Sequence, residues 1–295
     1  MSFIFEARAI IEDCRINSIG GLSAGVDIWE LAYLPTLLNN CQTWVEIGET
    51  TIQKLDDLQH TMYRTLLSVP QSTPWPALVW DCGGIKMKFR IMLKKLVFVS
   101  YILNQNDESL ALQMLKIQEK LKLPGLVKEC KTIITDLRLP DIFTQKITHN
   151  SWSNIVKGVI FEENEKELKN DMEKFKKTKN SDLVGETFGM RGYLKELNVS
   201  ESRTFFKHRT RMTRYAKTNF KNDPHYAKSL WKCDNCPNID SEQHILWCKE
   251  YEDLRLDKDL SNNKELCQYL KEALKLRAKQ ELERFALNKN KSKDN

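Results

Sequence analysis

The spacing of the apolar residues limits this chain more than any other feature: it advances in steps of three and four almost everywhere and hardly ever in steps of two. Ile52, Leu55, Leu58, Met62 and Leu66 are the clearest case, and at about 100° per residue they share one face of a helix over 51–68. Further helical stretches read at about 4–17, 25–39, 86–105, 108–121, 125–137, 150–178, 200–215 and 262–288. The expected fold class is therefore mainly α. Gly20-Gly21, Gly83-Gly84, Pro124-Gly125 and Pro140 punctuate these stretches, because glycine and proline both disfavour helix continuation. Val69 to Pro74 reads as a stiff connector, with Thr73 placed to cap a helix that Pro74 opens.

With 295 residues and 41% hydrophobic content, the chain can bury one sizeable core or two modest ones. Residues 162–180 alternate acids and bases, with Glu162/Lys166, Glu165/Lys169 and Glu173/Lys177 four apart and only Leu168, Met172 and Phe175 as an apolar stripe. That pattern predicts a mostly solvated helix bridging two packed regions. The expected organisation is a helical domain over 1–110, a helical linker over 111–180 and a basic region over 181–295.

Charge is unevenly spread. Residues 187–232 hold eleven Lys/Arg against Glu196, Glu201 and Asp223, more than the whole chain's formal net charge of +6. A concentrated positive field points to an anionic partner. No apolar run approaches the roughly 18 residues of a membrane span, and the opening residues carry acids where a signal peptide is basic. An intracellular protein, cytoplasmic or nuclear and without a membrane partner, is expected. Cys14, Cys41, Cys82, Cys130 and Cys267 are scattered singly and read as reduced, buried thiols.

The remaining cysteines form a pattern, C-x2-C-x7-H-x3-C, through Cys233, Cys236, His244 and Cys248. Zinc takes four tetrahedral sulfur or nitrogen donors. A tight turn can direct Cys233 and Cys236 inward, and a helix stacks His244 and Cys248 on one face. Ser241 or Asp240 is placed to cap that helix. Four protein donors leave no open position, so the expected metal is structural zinc.

Just upstream, Arg203, Lys207, Arg211 and Arg214 recur at steps of four, four and three, which would place a cationic ridge on a helix over 200–215. Arg209, Lys217 and Lys221 extend the basic segment. Cations interleaved with aromatics, among them Phe205, Phe206, Tyr215, Phe220, Trp231 and Trp247, suit phosphates and unstacked bases together. Each aromatic taken singly reads as a core residue, and the cationic ridge makes RNA or DNA the expected partner. An acidic protein surface is the alternative. No catalytic residues are expected. Asp56 and Asp57 lie in a helical pattern that splays adjacent side chains apart, and no P-loop, H-E-x-x-H, G-x-S-x-G or dinucleotide fingerprint occurs.

The order of motifs carries a resemblance. Tyr33-Leu34-Pro35-Thr36-Leu37-Leu38-Asn39-Asn40-Cys41-Gln42-Thr43-Trp44, followed by LDDLQHTMYRTLLSVPQSTPWPAL from Leu55, Gly83-Gly84 and a basic helix through Lys95, resembles the region after the catalytic palm in reverse transcriptases of non-LTR (LINE-type) retrotransposons. The C-terminal quartet behind a basic helix also looks like the zinc-knuckle end of those polyproteins. The similarity covers roughly 25–105 and 190–255. It implies a thumb-like 1–110 gripping a primer–template backbone, with Lys86, Lys88, Arg90, Lys94 and Lys95 as contacts. It further implies that 186–255 meets template RNA or target DNA, and that the catalytic part of such a polyprotein is a partner. The paired-aspartate turn, the finger and palm strands and the endonuclease have no counterpart here, so the expected chain binds nucleic acid and catalyses nothing alone.

Overall fold

The computed structural model describes residues 21–175, 188–210, 212, 233, 236–239, 241 and 243–291, with side chains described as far as Gln280. The described residues are mainly helical and contain no strand; one isolated antiparallel bridge joins Cys82 to Met190. The helices are α1 (Gly21–Ile28), α2 (Leu34–Leu37), α3 (Glu49–Leu67), α4 (Trp75–Asp81), α5 (Met87–Leu103), α6 (Leu110–Lys120), α7 (Leu126–Asp136), α8 (His149–Lys174), α9 (Tyr193–Glu196), α10 (Val199–Arg209), α11 (His244–Trp247) and α12 (Asn263–Lys291). A π-helical turn, Trp29–Tyr33, connects α1 to α2. The helix expected over 4–17 lies outside the described residues. The chain divides into two compact units, one built chiefly from Ala24–Leu66 and Pro74–Met190, the other from Arg191–Asn295 with the connector Leu67–Thr73.

In the first unit α5 packs against α6, α7 and α8. The sequence presented 162–180 as a solvated bridge; residues 162–174 are instead the second half of the core helix α8, and 176–180 lie outside the described residues. Trp152, Val156, Ile160, Asn164, Leu168 and Met172 are each fully buried, one every fourth residue. A row with a single inward residue per turn leaves most of the helix surface to charges, and so reads as polar. Two of its solvent-side ion pairs are Glu165–Lys169 at 2.8 Å and Glu163–Lys166 at 3.3 Å. Residues 111–174 therefore belong to the core of this unit, where Leu112, Leu115, Val127, Cys130 and Ile134 join Trp152 and Val156.

The start of α5 is where four segments meet. Its first N–H groups have no partner within the helix, and two are satisfied from elsewhere in the unit. Asp56 Oδ1 accepts from Met87 N–H at 2.9 Å, and Asn164 Oδ1 from Lys86 N–H at 3.0 Å. Asn164 in turn donates to the Gly84 carbonyl at 3.4 Å. The Lys86 ammonium reaches Glu167 and, at 2.9 Å, Asp171. Gly84 is required there: a Cβ would stand 2.6 Å from the Tyr63 hydroxyl. Gly83 beside it turns the chain with φ +67°. Asp56 is buried by this docking and Asp57 is exposed, so the adjacent acids diverge as expected. Thr73 does not cap α4; Pro74 holds that position with no side-chain hydrogen bond.

Removing the Trp152 indole, which donates to the Leu96 carbonyl at 3.0 Å, should cost about 3–5 kcal/mol in chemical denaturation of Trp152→Ala. The acids at the start of α5 give a pH dependence. Burial raises Glu167 and Asp171, but their hydrogen bonds to lysines (Lys86 and Lys88; Lys174 and Lys86) outweigh it and hold both below the usual carboxylate range. A depressed folded-state value contributes stability above the unfolded-state value, and that stability is lost as pH falls through the folded one. The melting temperature of the wild type should therefore drop more steeply below about pH 5 than that of a Glu167→Gln/Asp171→Asn variant.

Candidate metal centre and cationic surfaces

In the second unit α10 packs on α12. A capping box opens α10: the Glu201 N–H donates to Asn198 Oδ1 at 3.0 Å, and the Asn198 N–H to Glu201 Oε2 at 3.2 Å. Phe205 and Phe206 are buried, and Ser202 donates to the Tyr193 carbonyl at 3.0 Å. The helix ends at Arg209 with Thr210 as its C-cap, short of the 215 expected.

The four candidate ligands converge. Their donor atoms all lie within 4.8 Å of one another. Cys233 Sγ is 3.9 Å from Cys248 Sγ, and Cys236 Sγ is 3.3 Å from His244 Nε2. A tetrahedral ion at ordinary bond lengths separates two sulfurs by about 3.8 Å and a sulfur from an imidazole nitrogen by about 3.5 Å, so the donor set fits a metal. The cysteines are free thiols. Burial, reinforced by the neighbouring Cys233 and Cys236, pushes the Cys248 thiol up to about 12. A bound cation opposes that shift by favouring thiolates.

Local chemistry shapes the ligand turn. Cys233 N–H donates to the Asn238 carbonyl at 2.7 Å, and Asn238 Nδ2 lies 3.6 Å from Cys236 Sγ. Ser241 Oγ accepts from His244 N–H at 3.2 Å, although Gln243, with no side-chain hydrogen bond, holds the N-cap position of the short helix that follows. The helix carrying His244 is one turn long, and Cys248 follows it in extended backbone. His244 and Cys248 thus approach the same point without sharing a helix face.

What holds this turn in place comes largely from residues distant in the chain. Ile245, Cys248 and Tyr251 are buried with Tyr269, Leu270 and Ala273 of α12, and partly buried Cys233 and Cys236 pack against that cluster. Tyr269 donates its hydroxyl proton to the Ile245 carbonyl. Arg255 donates to the Cys248 carbonyl at 2.7 Å and reaches the Tyr269 hydroxyl at 3.5 Å. Lys258 ties the intervening loop to Glu272 of α12 at 2.8 Å. Leu266, Tyr269, Leu270, Ala273 and Leu274 at steps of three and one were the available signal. Trp247, between His244 and Cys248 in sequence, points away and is 75% exposed.

The proposed cationic contacts fall into distinct settings. Lys86 holds Glu167 and Asp171, and Lys88 also holds Glu167. Arg90 meets Glu30 at 2.6 Å, and Lys95, itself buried, meets Glu129. These four charges are neutralised inside the unit. Lys94 differs: it donates to the Leu38 carbonyl at 3.2 Å and forms no ion pair among the described residues. It lines a groove of about 470 Å³ with Gln42, Phe98, Tyr101, His149 and Lys157, in which no carboxylate takes part among the described residues. In the second unit Arg209 lies over the Tyr193 and Phe205 rings at 6.0 and 5.7 Å. Lys207 and Arg203 are half-buried on α10, and burial, with Arg203 nearby, lowers the Lys207 ammonium. Arg211, Arg214, Lys217 and Lys221 lie outside the described residues.

Comparison of the chain with protein-family models, curated proteins and solved structures finds no match. Among the described residues no helix is long and apolar enough to cross a membrane.

The packing of the ligand turn on α12 is open to direct measurement. Arg255→Ala leaves the Cys248 carbonyl without its charged donor, and should lower stability by about 2 kcal/mol in denaturant titrations. The surface variant Lys249→Ala should leave it within about 0.5 kcal/mol of wild type.

Proposed function

We propose that this chain is a nucleic-acid-binding distal part of a non-LTR retrotransposon reverse transcriptase, without polymerase or endonuclease activity of its own. In this reading Cys233, Cys236, His244 and Cys248 hold one structural zinc ion. The ion closes the ligand turn and supplies no chemistry, since all four donors belong to the protein. The observation that carries the reading is the metal-compatible quartet with an exposed indole between two of its ligands, in the same unit as the cations of α10. An exposed aromatic on a unit that also carries positive charge offers a face for an unstacked base and cations for its phosphates. The order of sequence motifs supplies the element type.

In the first unit the reading narrows to Lys94 and Lys157 with Tyr101, because Lys86, Lys88, Arg90 and Lys95 already hold carboxylates. A second reading is favoured by the exposure of Ile239 and Trp247, at 53% and 75%: a zinc-stabilised module whose apolar tip docks on a protein. Direct binding separates them: single-stranded nucleic acid should bind with salt-sensitive affinity under the first reading and show no measurable binding under the second.

Elemental analysis should find one zinc per chain, and Cys236→Ser should lose it and unfold the ligand turn. Zinc in isolated fingers contributes an apparent 10–16 kcal/mol or so, large beside a domain's net stability. Retained zinc with unchanged melting would sink the site. Affinity for a single-stranded oligonucleotide should fall with salt at a log–log slope of about −0.7 per phosphate contacted. Trp247→Ala should weaken it by about 1–3 kcal/mol with zinc retained. Salt-independent binding, or magnesium-dependent primer extension by the chain alone, would overturn the proposal.

A further inference from the structure

Helix α6 is apolar on two sides. Leu112 and Leu115 face the core of the first unit. Leu110, Met114, Ile117 and Leu121, at steps of four, three and four, are exposed by 73%, 49%, 45% and 60%. At about 100° per residue these four side chains fall within an arc of about 60°, with Leu112 on the far side. Steps of four and three are the seam spacing of two helices packed side by side, where each seam residue enters a gap on the facing helix. A row of this kind left in water on a folded unit marks an interaction surface.

The surroundings of the row select its occupant. Gln113 and Lys120 flank it on one side, Ala111 and Gln118 on the other, so no acid and only one cation borders the seam. The ends are charged with opposite sign. Asp107 and Glu108 are exposed just before the helix, Asp107 already pairing with Lys116 at 2.7 Å and Glu108 adding an acid beside it, while Lys120 and Lys122 are exposed at its close. A second α6 laid parallel would set acid against acid and base against base. Laid antiparallel about a two-fold axis between positions 115 and 116, it brings Asp107 and Glu108 beside Lys120 and Lys122 of the other copy. Leu110 then meets Leu121 and Met114 meets Ile117, each contact occurring twice, as an isologous interface demands. The spacing and the charges are satisfied by the same arrangement.

We infer that α6 is the self-association surface of this protein, pairing antiparallel with α6 of a second copy. The helix has 11 residues, so the seam is about 16 Å long and sits at the small end of specific interfaces. The dimer is accordingly weak and reversible, forming in the micromolar range.

Sedimentation equilibrium of the full chain over a range of concentrations tests this. The wild type should pass from monomer to dimer. Met114→Glu and Ile117→Lys should each raise the dissociation constant at least about 10-fold, with an unchanged circular dichroism spectrum because both side chains are exposed. The double variant Met114→Glu/Ile117→Lys should recover dimerisation, since each new glutamate then faces the lysine of the other copy. Parallel pairing would instead set glutamate against glutamate. A wild type that stays monomeric up to hundreds of micromolar, or a double variant no better than the single ones, overturns the inference.

Discussion

The first unit depends on how the start of α5 is satisfied. A helix N-terminus buried among other helices is costly unless its free N–H groups find acceptors, and here each acceptor comes from a different helix. Asp56 of α3 takes one, Asn164 of α8 takes another, and Lys86 extends back to Glu167 and Asp171 of α8. Burial alone would lower the Lys86 ammonium and raise the acids, yet mutual hydrogen bonding holds all three ionised. The polar junction thereby sets where α3, α5 and α8 cross, while the apolar row of α8 supplies most of the area removed from water.

The same junction explains the fate of the basic residues on α5. In sequence, Lys86, Lys88, Arg90, Lys94 and Lys95 form one run of cations along a single segment. In the folded unit an acid from the π-helical turn, from α7 or from α8 meets four of them, and each of those acids is distant in sequence. A charge run carries no mark of which of its members are neutralised by tertiary contact. Lys94 stands apart because the groove beside it contains another lysine and aromatics in place of acids.

What could be read ahead of the structure follows the range of the interactions involved. Mainly α character and the spans of α3, α5, α6 and α7 rest on local periodicity, and they appear within a few residues of their expected ends. The four metal-compatible donors were legible because spacing within sixteen residues nearly determines whether they can meet. The core role of α8 was not legible, since one buried residue per turn, including Asn164, looks like a polar helix. Nor was the bracing of the ligand turn by Arg255 and Tyr269, which depends on α12 folding back over a loop. The one-turn helix before Cys248 likewise reflects a local choice that ligand spacing leaves open.

The π-helical turn Trp29–Tyr33 has a consequence of its own. A π turn takes in one residue more than a regular turn, so it is equivalent to a single insertion absorbed without breaking the helix. That extra residue re-phases everything after it by about 100°. Trp29, Tyr33 and Leu34 are buried, while Glu30 on the same turn reaches Arg90 and the Tyr63 hydroxyl. Regularising the helix by deleting one residue would improve its backbone ladder and turn Leu34 and Leu38 out of register with the core. The irregularity is thus a phase adjuster: it lets one continuous segment present an acid to α5 and, within a turn, an apolar face to the interior.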